Sequence, residues 1–298
     1  MIYTFCTKTD PGRARENNED SVAFDDATRL CILADGMGGY NAGEIASGMA
    51  TAFIKSEMAR WLSEAGKQAK TKEIKRALEI CVDNANRSIY NAANSNSLYS
   101  GMGTTLVVAV FQGSKAMLGH IGDSRCYRFR GGEFEQITKD HSLLQEQIDA
   151  GLLTVEQAST SSYKNLVTRA LGVDDTVSLE INEYEVEPGD LYLMCSDGLS
   201  DMVDDAEIAS ILDAEVPMEQ KADHSAHRCE GDCAEYGRSY QISFFISLAL
   251  SLASKESLSS IEAGFDRLRL FCIRGEMFRL FPVFDRLLRF RSPSSLRK

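Results

Sequence analysis

The 298 residues are 44% hydrophobic, enough to bury one large core or two smaller ones, so we expect a globular chain and not a fibrous or disordered one. The formal charge of −12 argues against general binding to nucleic acid or anionic membranes. Eight cysteines are scattered, mostly inside apolar runs, as is typical of reduced core cysteines. The N-terminus lacks the basic start and long apolar stretch of a secretory signal, so we expect a cytoplasmic protein.

Two segments with acidic residues occur early in the chain. Arg15 to Asp20 reads RENNED, with both signs of charge close together. The apolar run Leu30–Ala34 predicts a buried strand, and Asp35 and Gly36 follow it directly. Taken alone, such an Asp-Gly pair is typical of a turn, because the carboxylate accepts hydrogen bonds from nearby backbone N–H groups.

The middle of the chain alternates between helical and strand-like patterns. Residues 42–65 and 71–93 have apolar residues at helical spacing, and each predicts a helix. Strand-like runs lie at 104–110, 116–123, 125–130, 133–138, 178–186 and 191–195. Tight connections join the first four runs, which predicts an antiparallel meander, and residues 141–171 read as a polar helical stretch. Paired helices beside antiparallel strands predict an α+β layered fold.

The composition changes near residue 225. Residues 225–298 hold 12 Lys and Arg against 8 Asp and Glu, whereas residues 1–224 hold 20 against 36. We therefore expect a domain at 1–224 and an atypical tail at 225–298. Two hypotheses for the tail are a translation in a shifted reading frame and a disordered segment. Its Arg, Leu and Phe residues also recur at a nearly helical period, which fits an amphipathic helix for a partner or a membrane surface.

Carboxylates recur where apolar strands end. Asp35, Asp123 and Asp197 each follow such a run, and Glu19 and Asp20 add two more acidic groups. Gathered carboxylates raise one another's pKa and require a compensating cation. Oxygen ligands favour Mg²⁺ or Mn²⁺, and two such ions about 3.5–4 Å apart can ionise a water and neutralise a phosphoryl group. The pattern therefore favours hydrolysis of phosphate esters.

Seven short motifs, in order, carry a resemblance to a known family. They are RENNED, ADGMGG, GTT, GHIGDSR, TKDHS, TRALG and CSDGLSD. Together they resemble the metal-dependent PPM (PP2C-type) Ser/Thr protein phosphatases of the compact bacterial kind, over about residues 3–224. The resemblance implies a four-layer α-β-β-α sandwich, with two antiparallel sheets flanked by helix pairs.

The same resemblance implies a reaction and its partners. The expected activity is hydrolysis of phosphoserine and phosphothreonine in proteins by a metal-activated water at a binuclear Mn²⁺ or Mg²⁺ centre. The expected partners are phosphorylated proteins and a cognate bacterial Ser/Thr kinase, and the chain is expected to be a monomer. The alternative function is a catalytically impaired phosphatase-fold protein that binds phosphoproteins or acts as a regulatory adaptor.

Matching motif to motif gives each candidate metal ligand a role. The resemblance implies that Asp35 bridges the two metals, that Gly36 offers its carbonyl oxygen, and that Asp197 holds one metal. It implies that Asp20, with Glu19 beside it, acts mostly through metal-bound water.

Further roles follow from the same matching. Asp123 resembles the aspartate that helps some bacterial members hold a third, weaker ion. Arg15 would clamp the substrate phosphate, and its alternative role is a surface ion pair of little energetic weight. With Asp35 and Asp197, Arg15 completes the expected catalytic set. Residues 143–165 correspond to the family's variable flap, which is expected to influence docking of the phosphoprotein.

The chain departs from the family at a candidate general acid. Met37 stands where some eukaryotic members have a histidine that protonates the leaving oxygen. His141 in TKDHS is the other candidate acid, and the alternative for it is a structural role near the flap.

The second departure concerns the end of the domain. The family has a Gly-Gly-x-Asp-Asn segment that leads into a final strand, and its Asp is a metal ligand. This chain has no such segment, and only Asp232 or Glu235 could substitute. We expect that losing one anionic ligand weakens metal binding. The nearby His224, His227, Cys229 and Cys233 also raise a zinc alternative, although their spacing lacks the two paired halves of a structural site.

Overall fold

The computed structural model describes residues 1–11, 17–38, 42–66, 69–159, 161, 166–236 and 242–250, all within one compact unit, Met1–Leu252. The strands are β1 (Ile2–Asp10), β2 (Asp20–Asp25), β3 (Leu30–Met37), β4 (Gly103–Thr104), β5 (Leu106–Gln112), β6 (Lys115–Ile121), β7 (Arg125–Arg130), β8 (Glu133–Gln136), β9 (Glu180–Glu185), β10 (Leu191–Cys195) and β11 (Ile242–Leu250). The helices are α1 (Ala42–Ala65), α2 (Thr71–Ser95), α3 (Leu143–Asp149), α4 (Val155–Ser159), α5 (Asp197–Ser200), α6 (Asp205–Asp213) and α7 (Met218–Tyr236).

Two antiparallel sheets form the centre of the fold. One has the strand order β1-β11-β10-β7-β8, and the other has the order β2-β3-β5-β6-β9, with β4 paired to β3. The sheets face each other through apolar side chains. The rings of Phe111 and Tyr192 lie 5.4 Å apart, and those of Tyr3 and Phe111 lie 4.9 Å apart. Leu33 and Met194 belong to the same buried cluster, so both sheets contribute to one inner core.

Helices cover the outer face of each sheet. On α1 the buried residues Ala46, Ala50, Ile54 and Met58 recur every fourth position, which places them on one face of the helix. With α2 this face packs on the sheet that contains β3 and β5. On the other side, α5, α6 and α7 pack around Leu199 on the sheet that contains β10. The fold is therefore the expected α+β sandwich with four layers, α-β-β-α.

The predicted meander is wrong at its centre. Strands β5 and β6 pair in one sheet, whereas β7 and β8 pair in the other, so the chain crosses between the sheets at the turn Gly122–Ser124. Gly122 has a φ of +101°, and a Cβ there would lie 2.7 Å from Thr105 Cγ2. Only glycine fits this crossing. The length of the connection could not reveal it, because a short loop does not show which sheet the next strand joins.

The polar segment after β8 is also less helical than predicted. Within 141–171 the described helices are only α3 and α4. The Ser142 hydroxyl accepts from the backbone N–H of Gln145 at 3.2 Å and caps the start of α3. Gly151, with a φ of +69°, follows the end of α3. In the expected flap, residues 160 and 162–165 lie outside the described residues.

The structure extends the domain beyond the expected boundary at residue 225. Helix α7 continues across this point, and β11 pairs with β1 on one side and β10 on the other. Residues 251–298, where most of the expected tail falls, lie outside the described residues. Among the helices that the structure describes, none has the length and apolar character needed to span a membrane.

Candidate metal centre

Asp20 and Asp35 lie directly opposite each other on β2 and β3. Opposed like charges are unfavourable in a sheet, so specific contacts must hold the pair. The Ser196 hydroxyl donates to Asp20 Oδ2 at 2.9 Å. The backbone N–H of Asp35 donates to Thr105 Oγ1 at 3.0 Å, and its carbonyl accepts from Thr104 Oγ1 at 2.8 Å. These bonds fix both acidic residues at the same end of the sheet.

Glu19 and Gly36 lie beside this pair, against the first turn of α1. The backbone N–H of Gly36 donates to the Glu19 carbonyl at 3.0 Å. A Cβ on Gly36 would lie 2.1 Å from the carbonyl oxygen of Gly43, so no larger residue fits. Glu19 Oε1 lies 2.9 Å from the position that a Cβ of Gly43 would take. The absence of side chains at both glycines therefore lets β3 and α1 approach each other next to the Glu19 carboxylate.

Asp197 follows a strand of the facing sheet, and Asp123 lies where the chain crosses between the two sheets. Asp197 is the first residue of α5, after β10, and Asp123 lies in the crossing turn between β6 and β7. Both line a small polar cleft, which is bordered by Asp123, Arg125, Asp140, Ser142, Asp197, Ser200 and Asp201. The cleft therefore combines carboxylates from three loops that are distant in sequence.

Among the residues that the structure describes, the guanidinium of Arg125 borders this cleft and is directed to Asp140. Arg125 Nε lies 3.1 and 3.0 Å from the two Asp140 carboxylate oxygens, and Nη2 lies 2.8 Å from Oδ2. Its Nη1 donates to the Tyr127 hydroxyl at 3.1 Å. Planar two-point pairing of this kind holds both partners in a fixed orientation. Arg125 therefore acts as a counter-charge for Asp140 and fixes one wall of the cleft.

Burial and mutual repulsion keep the clustered carboxyl groups protonated to an unusually high pH. Burial, then the charges of Asp20 and Asp197, raise the pKa of Asp35 well above its usual range. Burial, then Asp123, raises the pKa of Asp197 to about 7. Burial, then Asp140, raises the pKa of Asp123 to about 6. A cation among them would favour the ionised forms and reverse these shifts.

The donor set decides which cation fits. Every candidate side chain here offers a carboxylate oxygen, and the candidate backbone ligand, Gly36, offers a carbonyl oxygen. Hard oxygen donors suit Mg²⁺ or Mn²⁺, whereas zinc sites usually contain histidine or cysteine. The residues present therefore fit a centre for hard divalent cations.

A second cluster of possible ligands has a different character. Atoms of His120, His141 and Glu180 lie within 4.8 Å of one another. The backbone N–H of Gly122 donates to His141 Nδ1 at 3.2 Å, which leaves the ring proton on Nε2, 3.3 Å from Glu180 Oε2. His120 Nε2 lies 2.8 Å from the Lys139 carbonyl. Because His141 donates toward Glu180, the geometry favours a hydrogen-bonded cluster over a metal site, and a structural role for His141 over an acid role.

The structure brings together six of the predicted site residues, which are Glu19, Asp20, Asp35, Gly36, Asp123 and Asp197. Arg15 lies outside the described residues. Sequence reasoning missed the orienting contacts of Ser196 and Thr105. The signal was present, since these residues belong to the CSDGLSD and GTT motifs, but spacing alone does not show which backbone group a hydroxyl contacts.

The four candidate zinc ligands all lie on α7, a helix that contributes none of the clustered carboxylates. His224 and His227 border a shallow cleft beside Glu207 of α6. The side chains of Cys229 and Cys233 lie outside the described residues. The described part of this helix therefore adds no support for zinc.

Comparison with known proteins gives a consistent set of relatives. Residues 12–229 match the family model described as Protein phosphatase 2C. The chain is 37% identical over 223 residues to the serine/threonine phosphatase stp of Listeria innocua. The matched region covers 72% of this chain and 85% of that protein. It is 32% identical to the solved S. agalactiae serine/threonine phosphatase, with a TM-score of 0.75, over 83% of this chain and 100% of that one. It is 33% identical to the catalytic domain of the phosphatase PstP in complex with two manganese ions, with a TM-score of 0.71, over 84% and 99% of the two chains.

Proposed function

The chain belongs to the protein phosphatase 2C family, and we propose that Asp20, Asp35 and Asp197, with Glu19 and Gly36, form its binuclear metal centre. It is a metal-dependent protein phosphatase that hydrolyses phosphoserine and phosphothreonine esters in proteins. The observation that supports this centre best is the direct pairing of Asp20 with Asp35 across β2 and β3. Such a pairing of a buried carboxylate with a partly buried one is unfavourable unless a cation binds between them.

Each protein group in the proposed centre has a defined task. When bound, the two cations supply a nucleophilic hydroxide from water and neutralise charge on the phosphoryl oxygens. Ser196 orients Asp20, and the hydroxyls of Thr104 and Thr105 hold the backbone of Asp35. The carboxylates are therefore positioned before substrate arrives, and little reorganisation is needed during the reaction.

Protons and phosphate binding involve other residues. We propose that Arg15 clamps the substrate phosphate, because a guanidinium pairs with two phosphate oxygens at once. Met37 carries no transferable proton, so the leaving alkoxide takes its proton from water. Asp123 is proposed to help hold a third, weaker ion in the cleft that it shares with Asp197. Either Mn²⁺ or Mg²⁺ suits these oxygen donors.

The proposed substrates are phosphorylated proteins, and the proposed partner is a bacterial Ser/Thr kinase that phosphorylates them. We propose that the enzyme acts as a monomer and that residues 143–165 contact the phosphoprotein. Leu152 and Val155, between α3 and the first turn of α4, are 72% and 66% exposed. Exposed apolar side chains of this kind are suited to docking a protein substrate.

One observation favours a second candidate function, a phosphoprotein-binding protein with impaired turnover. The five residues before β11 read Gly-Arg-Ser-Tyr-Gln, at positions 237–241, and contain no acidic residue. The family resemblance places its last metal-binding Asp within a few residues of Glu235, just before the final strand. A centre with one anionic ligand fewer holds its cations less tightly, and turnover then requires a higher metal concentration.

Turnover of a phosphothreonine peptide, measured against free Mn²⁺ concentration, tests the proposed function. We expect turnover that EDTA abolishes and that Asp35→Asn lowers by at least about 100-fold, because the substitution removes the bridging charge. Asp83→Asn, on the exposed side of α2, is the matched control. Peptide binding without turnover at any Mn²⁺ concentration would favour the second candidate. Full activity of Asp35→Asn would exclude the proposed centre.

A further inference from the structure

The turn that carries Asp123 is held from two sides. The backbone N–H of Gly122 donates to His141 Nδ1 at 3.2 Å, and the backbone N–H of His141 donates to the Gly122 carbonyl at 2.9 Å. On the other side, the hydroxyls of Ser124 and Thr105 lie 2.7 Å apart. Since Thr105 Oγ1 also accepts from the backbone N–H of Asp35, the turn is tied to the proposed centre.

The ring of His141 is fixed in one tautomer by its surroundings. Nδ1 must be an acceptor, because it faces the N–H of Gly122, so Nε2 carries the proton toward Glu180 Oε2 at 3.3 Å. The Arg169 guanidinium lies farther from Nε2, at 3.5 Å. The rings of His120 and His141 stack at 4.6 Å and 14°. Rotation of the His141 ring would break both its hydrogen bonds and this stack.

His141 also joins the turn to the segment that contains α3 and α4. Its carbonyl accepts from the backbone N–H of Thr168 at 2.8 Å, and the next pair along, Leu143 N–H and the Leu166 carbonyl, lies at 2.9 Å. The two ends of the segment 143–166 are therefore held together at His141. A displacement of these ends would be passed through His141 to Gly122 across only two hydrogen bonds, and Gly122 is the neighbour of Asp123 in the chain.

We propose that His141 is a positioning residue, which holds the Gly122–Ser124 turn so that Asp123 faces Asp197, and which links the ends of segment 143–166 to that carboxylate. The inference rests on the proposed function, because the role of Asp123 in cation binding is proposed there. In addition, the affinity of the weakest cation site depends on the acceptor atom Nδ1 of His141, and not on the bulk or the charge of the His141 ring.

Two substitutions separate the acceptor from the rest of the ring. His141→Asn places an amide oxygen near the position of Nδ1, whereas His141→Gln places its polar end near that of Nε2. Mn²⁺ binding to the full chain, followed by electron paramagnetic resonance of the free ion, measures each site without turnover. We expect His141→Gln to weaken the weakest Mn²⁺ site by about tenfold or more, and His141→Asn to stay within about threefold of the original chain.

Reference variants make each outcome decisive. Asp123→Asn should weaken the same site, and circular dichroism with thermal melting shows whether each variant folds. If a His141 variant does not fold, Glu180→Leu, at a side chain that is 41% exposed, replaces it. It removes the partner of Nε2 but leaves Nδ1 facing the Gly122 N–H, so it should keep the weakest site within about threefold of the original chain. Equal affinities for His141→Asn and His141→Gln, or a site about tenfold weaker in Glu180→Leu, would overturn the inference while Asp123→Asn still upholds the proposed site. An unchanged isotherm for Asp123→Asn would overturn both.

Discussion

At the scale of single residues, we propose that the clustered aspartates serve metal binding at the expense of the metal-free fold. Asp35 is surrounded by Asp20, Asp197 and Asp123, and its pKa is raised by burial first and by these charges next. A protein gains no stability from gathering such groups in its interior. Their arrangement is explained by the cation that they are proposed to hold, and the metal-free state should show the electrostatic cost of gathering them.

Stability of the metal-free protein should fall as pH rises. In the unfolded chain Asp197 ionises near its ordinary pKa of 3.8, whereas in the folded chain its pKa is raised to about 7. The folded state therefore holds more protons between these values, and its stability is lost as pH rises through that window. We expect the free energy of unfolding by urea, in EDTA, to fall by on the order of a few kcal/mol between about pH 5 and about pH 7.5.

Two controls assign that fall to the cluster. Asp35→Asn removes one of the interacting charges and should flatten the pH dependence, and excess Mn²⁺ should reverse it. A free energy of unfolding that rises over the same range in EDTA would contradict the account of the site.

The sequence could predict most of the residues that the structure brings together in the proposed centre. Asp35, Asp123 and Asp197 could be predicted because each follows an apolar run, and the ordered motifs brought in Glu19 and Asp20. The orienting hydroxyl of Ser196 could not be assigned, because its contact with Asp20 joins residues that are 176 positions apart. Such a contact depends on how the two sheets face each other, which no local pattern contains.

At the scale of secondary structure elements, the approach of α1 to β3 defines the space beside the site. It depends on Gly36, where an added Cβ would lie 2.1 Å from the Gly43 carbonyl oxygen. Gly48, farther along α1, has no atom within 4 Å of an added Cβ. The two glycines are therefore a matched pair, one required by packing and one not.

Gly36→Ala and Gly48→Ala should have opposite effects on stability. Gly36→Ala forces two backbone segments apart and should lower the free energy of unfolding by about 2 kcal/mol or more. Gly48→Ala should raise it by about 0.5–1 kcal/mol, because alanine is the better helix former. Urea unfolding of both variants in the presence of Mn²⁺ measures these changes. Equal effects of the two substitutions would show that the predicted packing of β3 on α1 is wrong.

The order of strands was harder to predict than their existence. Residues 116–123 and 125–130 were recognised as strands, yet their connection crosses between sheets instead of forming a hairpin. Strand β11 was missed because the composition changes before it and its apolar run has no matching turns, although it lies between β1 and β10. The place that a strand takes depends on which sheet edges the other strands leave unpaired, and that is a property of the whole sheet.

The position of β11 leads to a prediction of improved metal binding. If the final strand begins at Ile242, the family's metal-binding Asp corresponds to Tyr240. We expect Tyr240→Asp to tighten Mn²⁺ binding by about tenfold, because a further anionic oxygen ligand increases the affinity of a hard cation site. Isothermal titration with Mn²⁺ measures the change, and Tyr240→Asn controls for the loss of the ring. An affinity that does not rise above that of Tyr240→Asn would show that this segment does not reach the site.

At the scale of the whole molecule, the two sheets bring distant carboxylates to one end of the sandwich. Asp20 and Asp35 belong to one sheet, Asp197 follows β10 of the other, and Asp123 lies where the chain crosses between them. The inner apolar core fixes the distance between the sheets, so the spacing of the carboxylates is set by packing far from the site. The fold class and the motif order could be predicted from the sequence, whereas this convergence required the structure.

Anomalous diffraction from crystals grown with MnCl₂, collected at the manganese edge, tests the central claim most directly. The account predicts two strong peaks about 3.5–4 Å apart, in contact with the carboxylates of Asp35 and Asp197, together with a weaker peak near Asp123. Manganese bound instead between His120, His141 and Glu180, or no peak beside Asp35 at saturating Mn²⁺, would contradict it.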